Sequence, residues 1–241
     1  MRIAIMQPTF VPWIGYFSMI DYVDLFVFLD DVQFVKRSWQ CRNRIKSQAG
    51  STWISLTMDG AQSRPLIMDA RIVSNGFPKI VNQVTSCLGK APYFNQLDIL
   101  LNSMISDQTE ALGNFNARLI KETCGLLSID TDFIFSSSLK INSSTKSSRL
   151  LDICSALGGT EYISPQGSFD YLHDDNPFGN VDLKFFDFEH PRYPQLFGDF
   201  EPFLSMLDVI ANIGAEASYD LLRNGAKNPL SMQEIQERLA C

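Results

Sequence analysis

Residues 3–17 read IAIMQPTFVPWIGYF, and the expectation for the rest of the chain grows outward from this stretch. Positions 2–6 alternate and are rich in Ile, the period-two pattern of a strand. Gln7-Pro8 and Val11-Pro12 end it, because proline fixes φ and removes a ladder donor. From Trp13 to about Tyr22 the apolar spacing suits a short helix. LFVFL at 25–29 is too apolar for an edge and reads as a buried parallel strand. Strand, loop, helix and strand make a compact βαβ unit whose two strands end on the same edge.

Further along, 52–58 and 66–73 read as two more strands joined by the polar loop DGAQSR. From Phe77 to Leu127 the pattern turns helical, in three segments broken near Ala91-Pro92 and Asp107, as an insertion or a cap over the sheet. Strand character returns at 131–135. A helix over 146–157 ends in the C-cap signal Gly158-Gly159. Strands are expected at 160–164 and 182–188, and the chain from about Pro202 is helical. The Ser-rich segment SSSLKINSSTKSS (136–148) is a loop long enough to be mobile. This order predicts one α/β domain over 1–241, with 202–241 as its C-terminal helices. Its sheet is open, mostly parallel and Rossmann-like, with helices on both faces and a helical middle segment. Ligands in such sheets bind outside the carboxyl ends of the strands, at the switch in strand order. The expected site therefore gathers Gln7 to Gly15, Asp30-Asp31 and His190-Pro191.

The 241 residues, 45% hydrophobic and 20% charged, suffice for a large core and speak against long disorder. No apolar run approaches the ~20 residues of a membrane helix. MRIAIMQPTF is too short in apolar residues for a signal peptide, so a cytoplasmic location without membrane insertion is expected. The five cysteines, Cys41, Cys87, Cys124, Cys154 and Cys241, are odd in number and contain no C-x-x-C pair. They support neither a disulfide framework nor a zinc site, and no metal ligands are assigned. A net charge of −7 disfavours a general nucleic-acid coat protein. Against it stands KRSWQCRNRIK (36–46), with five positive side chains and no acid, which suggests a phosphate or carboxylate site.

In the loop after the first strand, two prolines fix the backbone around Gln7 and Pro8. Gly15 and Tyr16 begin a helix whose first amides suit an anion. The plain alternative is a rigid, well-packed turn; G-x-G-x-x-G and Walker patterns are absent. Asp30 and Asp31 stand where an acid meets a ribose, an amine or Mg²⁺, or else where a loop is capped. Gln33, Lys36, Arg37, Trp39, Arg42, Asn43 and Arg44 supply forks for phosphates and an indole for stacking. His190, in EHPRYPQ, reads either as a base near neutrality or as a structural histidine, with Tyr193 and Gln195 in the same segment. His173 reads as a surface loop residue. Ser164, Gly167 and Tyr171 in YISPQGSFDYL clamp a phosphate or sugar, or only turn the chain. Ser205-x-x-Asp208 reads as a helix N-cap box with Gly214 as C-cap.

Five stretches together resemble the WbqC-like family of bacterial surface-polysaccharide gene clusters. They are IAIMQPTFVPWIGYF, LDDVQFVKRSWQCRNRIK, KSSRLLDICSALGGTEYISPQGSFDYL, FEHPRYPQ and LSMLDVIANIG, in the family's order over nearly the whole chain. The chain departs at Ser164-Pro165, where the family commonly has Ser-Gly. The resemblance implies an accessory enzyme of O-antigen or related glycan synthesis: a glycine transferase forming an amide on the amine of an amino sugar. Such a reaction needs a base and an oxyanion stabiliser. By position and chemistry, Asp30, Asp31 or His190 would receive the amine. Arg42, Arg44 and Lys36 would bind phosphates, and Gln7 with the amides near Gly15 would meet the carbonyl oxygen. The implied partners are an amino-sugar nucleotide or other glycan precursor and a glycine donor, either ATP/Mg²⁺-activated glycine or a charged glycyl-tRNA. Two other classes remain open: a nucleotidyl- or phosphoryl-transfer enzyme, and a non-catalytic binding protein of polysaccharide assembly.

Overall fold

In the parallel strands, side chains alternate between two cores. The computed structural model describes residues 1–60, 63–106, 111–142, 145–174 and 178–240. The expected helix break at Asp107, residue Cys241, positions 61–62 of the DGAQSR loop and 143–144 of the Ser-rich loop lie outside the described residues. The strands are β1 (Arg2–Met6), β2 (Leu25–Phe28), β3 (Arg42–Ser47), β4 (Gly50–Ser55), β5 (Asp132–Phe135), β6 (Glu161–Pro165) and β7 (Asp182–Phe186). Five of them form one sheet in the order β5-β2-β1-β6-β7, with every pairing parallel.

Ala4, Phe26, Phe28, Ile163 and Phe186 face one core. They share it with apolar residues of α1 (Ile14–Tyr22), α4 (Leu112–Leu126), α7 (Met206–Ile213) and α8 (Ala215–Gly225). Ile3, Ile5, Val27, Tyr162 and Phe185 face the other, against α5 (Lys146–Ala156), α6 (Phe169–Asp174) and α9 (Met232–Ala240). Helices thus cover both faces of a Rossmann-like α/β sheet, as the element order predicts. Each buried Phe contributes roughly 1.5–3 kcal/mol, so Phe26 and Phe28 of β2 with Phe185 and Phe186 of β7 hold the sheet strongly.

The middle of the chain holds the three helical segments expected, α2 (Phe77–Leu88), α3 (Asp98–Ser106) and α4. Pro78 opens α2, where its missing amide costs nothing. Among the described residues no helix is long and apolar enough to cross a membrane. Cys41, Cys124 and Cys154 are buried and unpaired, and burial pushes the Cys124 and Cys154 thiols up to about 12.

One region differs from expectation. The strand expected at 52–58 is β4, slightly earlier, and its partner lies upstream, in the second half of the basic segment. The stretch 66–73 makes only isolated bridges, such as Gln33 with Leu66 and Met58 with Ile72. The antiparallel hairpin β3–β4 is hidden in the sequence because its period-two pattern is written in polar residues. Asn43 and Ile45 point inward, Arg42 and Arg44 outward. Gly50 closes the turn at φ 98°, and the Ser47 hydroxyl donates to its carbonyl at 2.6 Å.

Candidate functional site

Counted by order of appearance, the parallel strands run 3-2-1-4-5, so the winding direction reverses between β1 and β6. Loops leaving these two strands diverge and open a crevice at their carboxyl ends. A cavity of about 390 Å³ lies there, bounded by Met6 at the end of β1, Gln166 after β6, Asp187 after β7 and Arg238 of α9. A second cavity, about 350 Å³, shares Met6, Trp13 and Tyr16 with the first and extends toward Trp39, Asn43 and Phe203. The two are lobes of one cleft parted by the Trp13 indole.

Trp13 is held on several sides. Its ring meets Phe188 and Phe203 edge-on, each at 5.3 Å, and stacks on His190 at 5.9 Å. It also covers Gly15: a Cβ built there would sit 2.6 Å from the ring atom Cζ3. The close approach that Gly15 permits is therefore made by Trp13. Tyr16 lies beneath, donating its hydroxyl to the Gln7 carbonyl at 3.1 Å, and burial raises its pKa.

The polar end of the cleft is built by three residues that sequence reasoning did not single out. Arg238 grips Asp187 with two hydrogen bonds, Nη1 to Oδ1 at 2.8 Å and Nη2 to Oδ2 at 3.1 Å. Gln166 donates Nε2 to the same Oδ1 at 2.9 Å and to the Phe186 carbonyl at 3.2 Å. The bonds from Arg238, helped by Gln166, hold the Asp187 carboxyl below the usual carboxylate range, so it is anionic at neutral pH. Asp187 falls within the stretch expected as strand, and Arg238 is far away in sequence. The rule that ligands bind at the carboxyl ends of the strands reaches Asp187 after β7, but no local signal reaches Arg238.

The loop from Gln7 to Pro12 forms a fixed wall, because its carbonyls are satisfied from behind. Asn116 donates to the Pro8 carbonyl at 3.0 Å, and Asn43 to those of Phe10 and Val11 at 3.0 and 2.9 Å. Ser205 adds a bond to Val11 at 2.7 Å, and the Met206 amide reaches Pro12 at 2.8 Å. Gln40 donates to the Gln7 side chain at 2.7 Å. These bonds hold Val11 at φ 38°, a region unfavourable for a β-branched residue. The rigid turn and the cleft wall are thus one feature.

Asp30 and Asp31 face elsewhere. Asp30, 3% exposed, accepts from the Ser137 amide at 3.1 Å and its hydroxyl at 2.8 Å. Asp31 accepts from Ser136 at 2.6 Å and pairs with Arg149 of α5. Together they tie β2 to the turn after β5. His190 has both nitrogens engaged by backbone: Nδ1 with the Pro191 carbonyl at 2.8 Å, and Nε2 accepting from the Phe203 amide at 3.1 Å. Burial lowers its pKa.

The remaining candidates divide between frame and surface. Tyr193 donates to the buried Asp208 at 3.1 Å, and Gln195 binds both the buried Lys46 ammonium and the Glu201 backbone. Burial raises both Tyr193 and Asp208, the latter opposed by the Lys46 amide. Ser205 caps α7 by accepting from Leu207, as expected, but Asp208 turns to Lys46 instead of closing the box. Gly214, at φ 81°, ends that helix. Ser164 is buried and Pro8 sits within the wall, whereas Gly167 lines the first lobe with open space beside it. Tyr171, Gln33, Lys36 and Arg37 are exposed, and His173 lies on the exposed side of α6. Arg42 and Arg44 point away from the cleft, toward the Trp53 ring at 4.1 and 5.8 Å.

This arrangement of rigid wall, aromatic partition and paired carboxylate spans segments from both ends of the chain, and two comparisons cover most of that length. The uncharacterized protein Rv1507c of Mycobacterium tuberculosis is 33% identical over 228 residues, which is 92% of this chain and 97% of that protein. No solved structure matches. The model of the WbqC-like protein family matches residues 7–219, from the Gln7 wall to α8, and the chain belongs to that family.

Proposed function

We propose that this protein is an enzyme, an amide-forming transferase. It joins a glycyl or other aminoacyl group to the amine of a nucleotide-linked amino sugar in surface-polysaccharide synthesis. One observation carries the reading: a carboxylate kept anionic by Arg238 and Gln166 stands at the strand-order reversal, in a cleft walled by Trp13 and Phe188. A sugar ring packs its apolar face on an indole, and an amine is drawn to a fixed carboxylate.

In this reading Asp187 accepts a hydrogen bond from the amine and orients its lone pair toward the acyl carbon. The C–N bond forms and the acyl C–O bond breaks, while the proton lost by nitrogen ends on the departing oxygen. Arg238 has guanidinium N–H groups beyond the two spent on Asp187. The Gln7 amide, whose oxygen is taken by Gln40, keeps its own donors for the developing oxyanion. Asp30, Asp31 and His190 then serve as frame, since their polar atoms are committed to other residues.

The test is product formation. Purified protein is given amino-sugar nucleotides with either ATP, Mg²⁺ and glycine or charged glycyl-tRNA, and products are read by mass spectrometry. An acceptor heavier by one glycyl residue is expected, and no product across a broad amine panel contradicts the reading. One alternative, nucleotidyl transfer, draws on the separate cavity lined by Lys36, Arg37 and Arg42; amino-acid-independent pyrophosphate release would establish it.

A further inference from the structure

The outer face of the β3–β4 hairpin has features that the cleft does not use. Trp39 and Trp53 are 48% and 42% exposed, unusual for indoles, and lie 5.3 Å apart. Two guanidiniums flank them: Arg42 lies 4.1 Å over Trp53, and Arg44 lies 6.0 Å from Trp39 and 5.8 Å from Trp53. Arg44 and Trp53 are directly opposed across the hairpin, so strand register fixes their contact. The Nε atoms of both arginines are buried without a hydrogen-bond partner.

Lys36, Arg37 and Arg42 line an adjoining cavity of about 420 Å³. Among the described residues none of Lys36, Arg37, Arg42 and Arg44 has a carboxylate partner. On a chain of net charge −7, four uncompensated cations beside two exposed indoles form a local exception. Single-stranded nucleic acid is bound by this combination: aromatic faces stack bases while cations follow the phosphates. A mononucleotide has one base and would leave the second indole bare. The patch also has a direction, because Trp39 belongs to it and to the second lobe of the cleft.

We propose that this hairpin face docks single-stranded RNA, and that its ligand is the 3′ end of an aminoacylated tRNA entering the cleft past Trp39. The choice of RNA rests on the transferase reading, since a 3′-terminal ribose ester is an acyl carrier. The surface itself reads bases and phosphates.

The experiment measures binding without any transfer step. A labelled single-stranded RNA ending in CCA is titrated with the full chain at 50 and 200 mM salt. Saturable binding is expected, with Kd rising roughly 20-fold between the two conditions if about three phosphates are neutralised. Trp53→Ala weakens binding by roughly 5- to 150-fold, and Trp53→Phe retains most of it. Lys36→Ala with Arg37→Ala flattens the salt dependence. Unchanged circular dichroism and melting of the variants show that the surface, not the fold, was altered.

Absence of saturable binding at 50 mM salt overturns the proposal, as does binding indifferent to Trp53→Ala. A nucleoside diphosphate that binds as tightly as the RNA makes the occupant a mononucleotide. Trp53-dependent binding to phosphatidylglycerol vesicles but not to RNA makes it a membrane surface; either result also overturns the proposal. Glycyl-amide formation from ATP and glycine by a protein that ignores RNA overturns it and leaves the transferase intact. RNA binding without product on the amine panel does the reverse.

Discussion

The carboxylate of Asp187 and the guanidinium of Arg238 meet fork to fork at 2.8 and 3.1 Å, although 51 residues separate them. This pair joins the carboxyl edge of the sheet to the last helix and fixes the polar end of the cleft. It orients the charge on which the functional reading depends.

Replacing Asp187 by Asn keeps the shape and removes the charge. If Asp187 holds the acceptor amine, transfer should fall about 10²- to 10⁴-fold with circular dichroism unchanged. Arg238→Met should reduce transfer as well and raise the pH at which activity is lost in acid. The reason is that Asp187 then loses the partner that lowers its pKa. pH–rate profiles of the three proteins check both statements.

Gly15→Ala tests the indole partition. The added methyl overlaps the Trp13 ring, so the ring must swing into a lobe of the cleft. A destabilisation of about 1–3 kcal/mol is expected, the usual range for overpacking. It should come with a changed near-ultraviolet circular dichroism signal and a raised KM. Urea denaturation and steady-state kinetics measure these effects.

Asn43 holds two carbonyls of the Gln7–Pro12 wall from a buried position. Asn43→Ala takes the side-chain donor from the Phe10 carbonyl and leaves Val11 with Ser205 alone, and should cost about 1–3 kcal/mol. Faster amide exchange in residues 9–13 should accompany the loss, and hydrogen-exchange mass spectrometry detects it.

His190 gives a pH signature. Its folded-state pKa is lowered by burial, so the unfolded chain binds the proton more readily. Its contribution is full above the unfolded value of about 6.5 and is lost as pH falls through the lower folded value. Protonation also ends its role as acceptor for the Phe203 amide. Melting temperature should therefore drop from pH 7 to pH 5, and His190→Gln should lessen that drop. Should His190→Gln abolish transfer while leaving stability unchanged, the structural role assigned to His190 would be wrong.

Much of the fold was legible in the sequence because its strands are short apolar runs separated by Pro and Gly punctuation. Ile3 and Ile5, Phe26 and Phe28, and Tyr162 with Ile163 announce their strands and their faces. The β3–β4 hairpin escaped because Arg42, Arg44 and Lys46 read as surface charge, while its buried positions on β3 are Asn43, Ile45 and Lys46, of which only Ile45 is apolar. The edge on which ligands should bind also followed from strand order. What failed to follow was which acid faces the cleft. Asp30 and Asp31 lie past a strand end as the rule suggests, but Ser136, Ser137 and Arg149 consume their oxygens. Those partners lie over a hundred positions away. The Asp187–Arg238 pair depends on where α9 returns, which local pattern does not encode.

The most direct measurement is a crystal structure with an amino-sugar nucleotide bound. The account expects the sugar ring against Trp13 and Phe188, with its amine within hydrogen-bond reach of Asp187. A sugar nucleotide seated at Asp30-Asp31, or one bound with its amine turned away from Asp187, would contradict it.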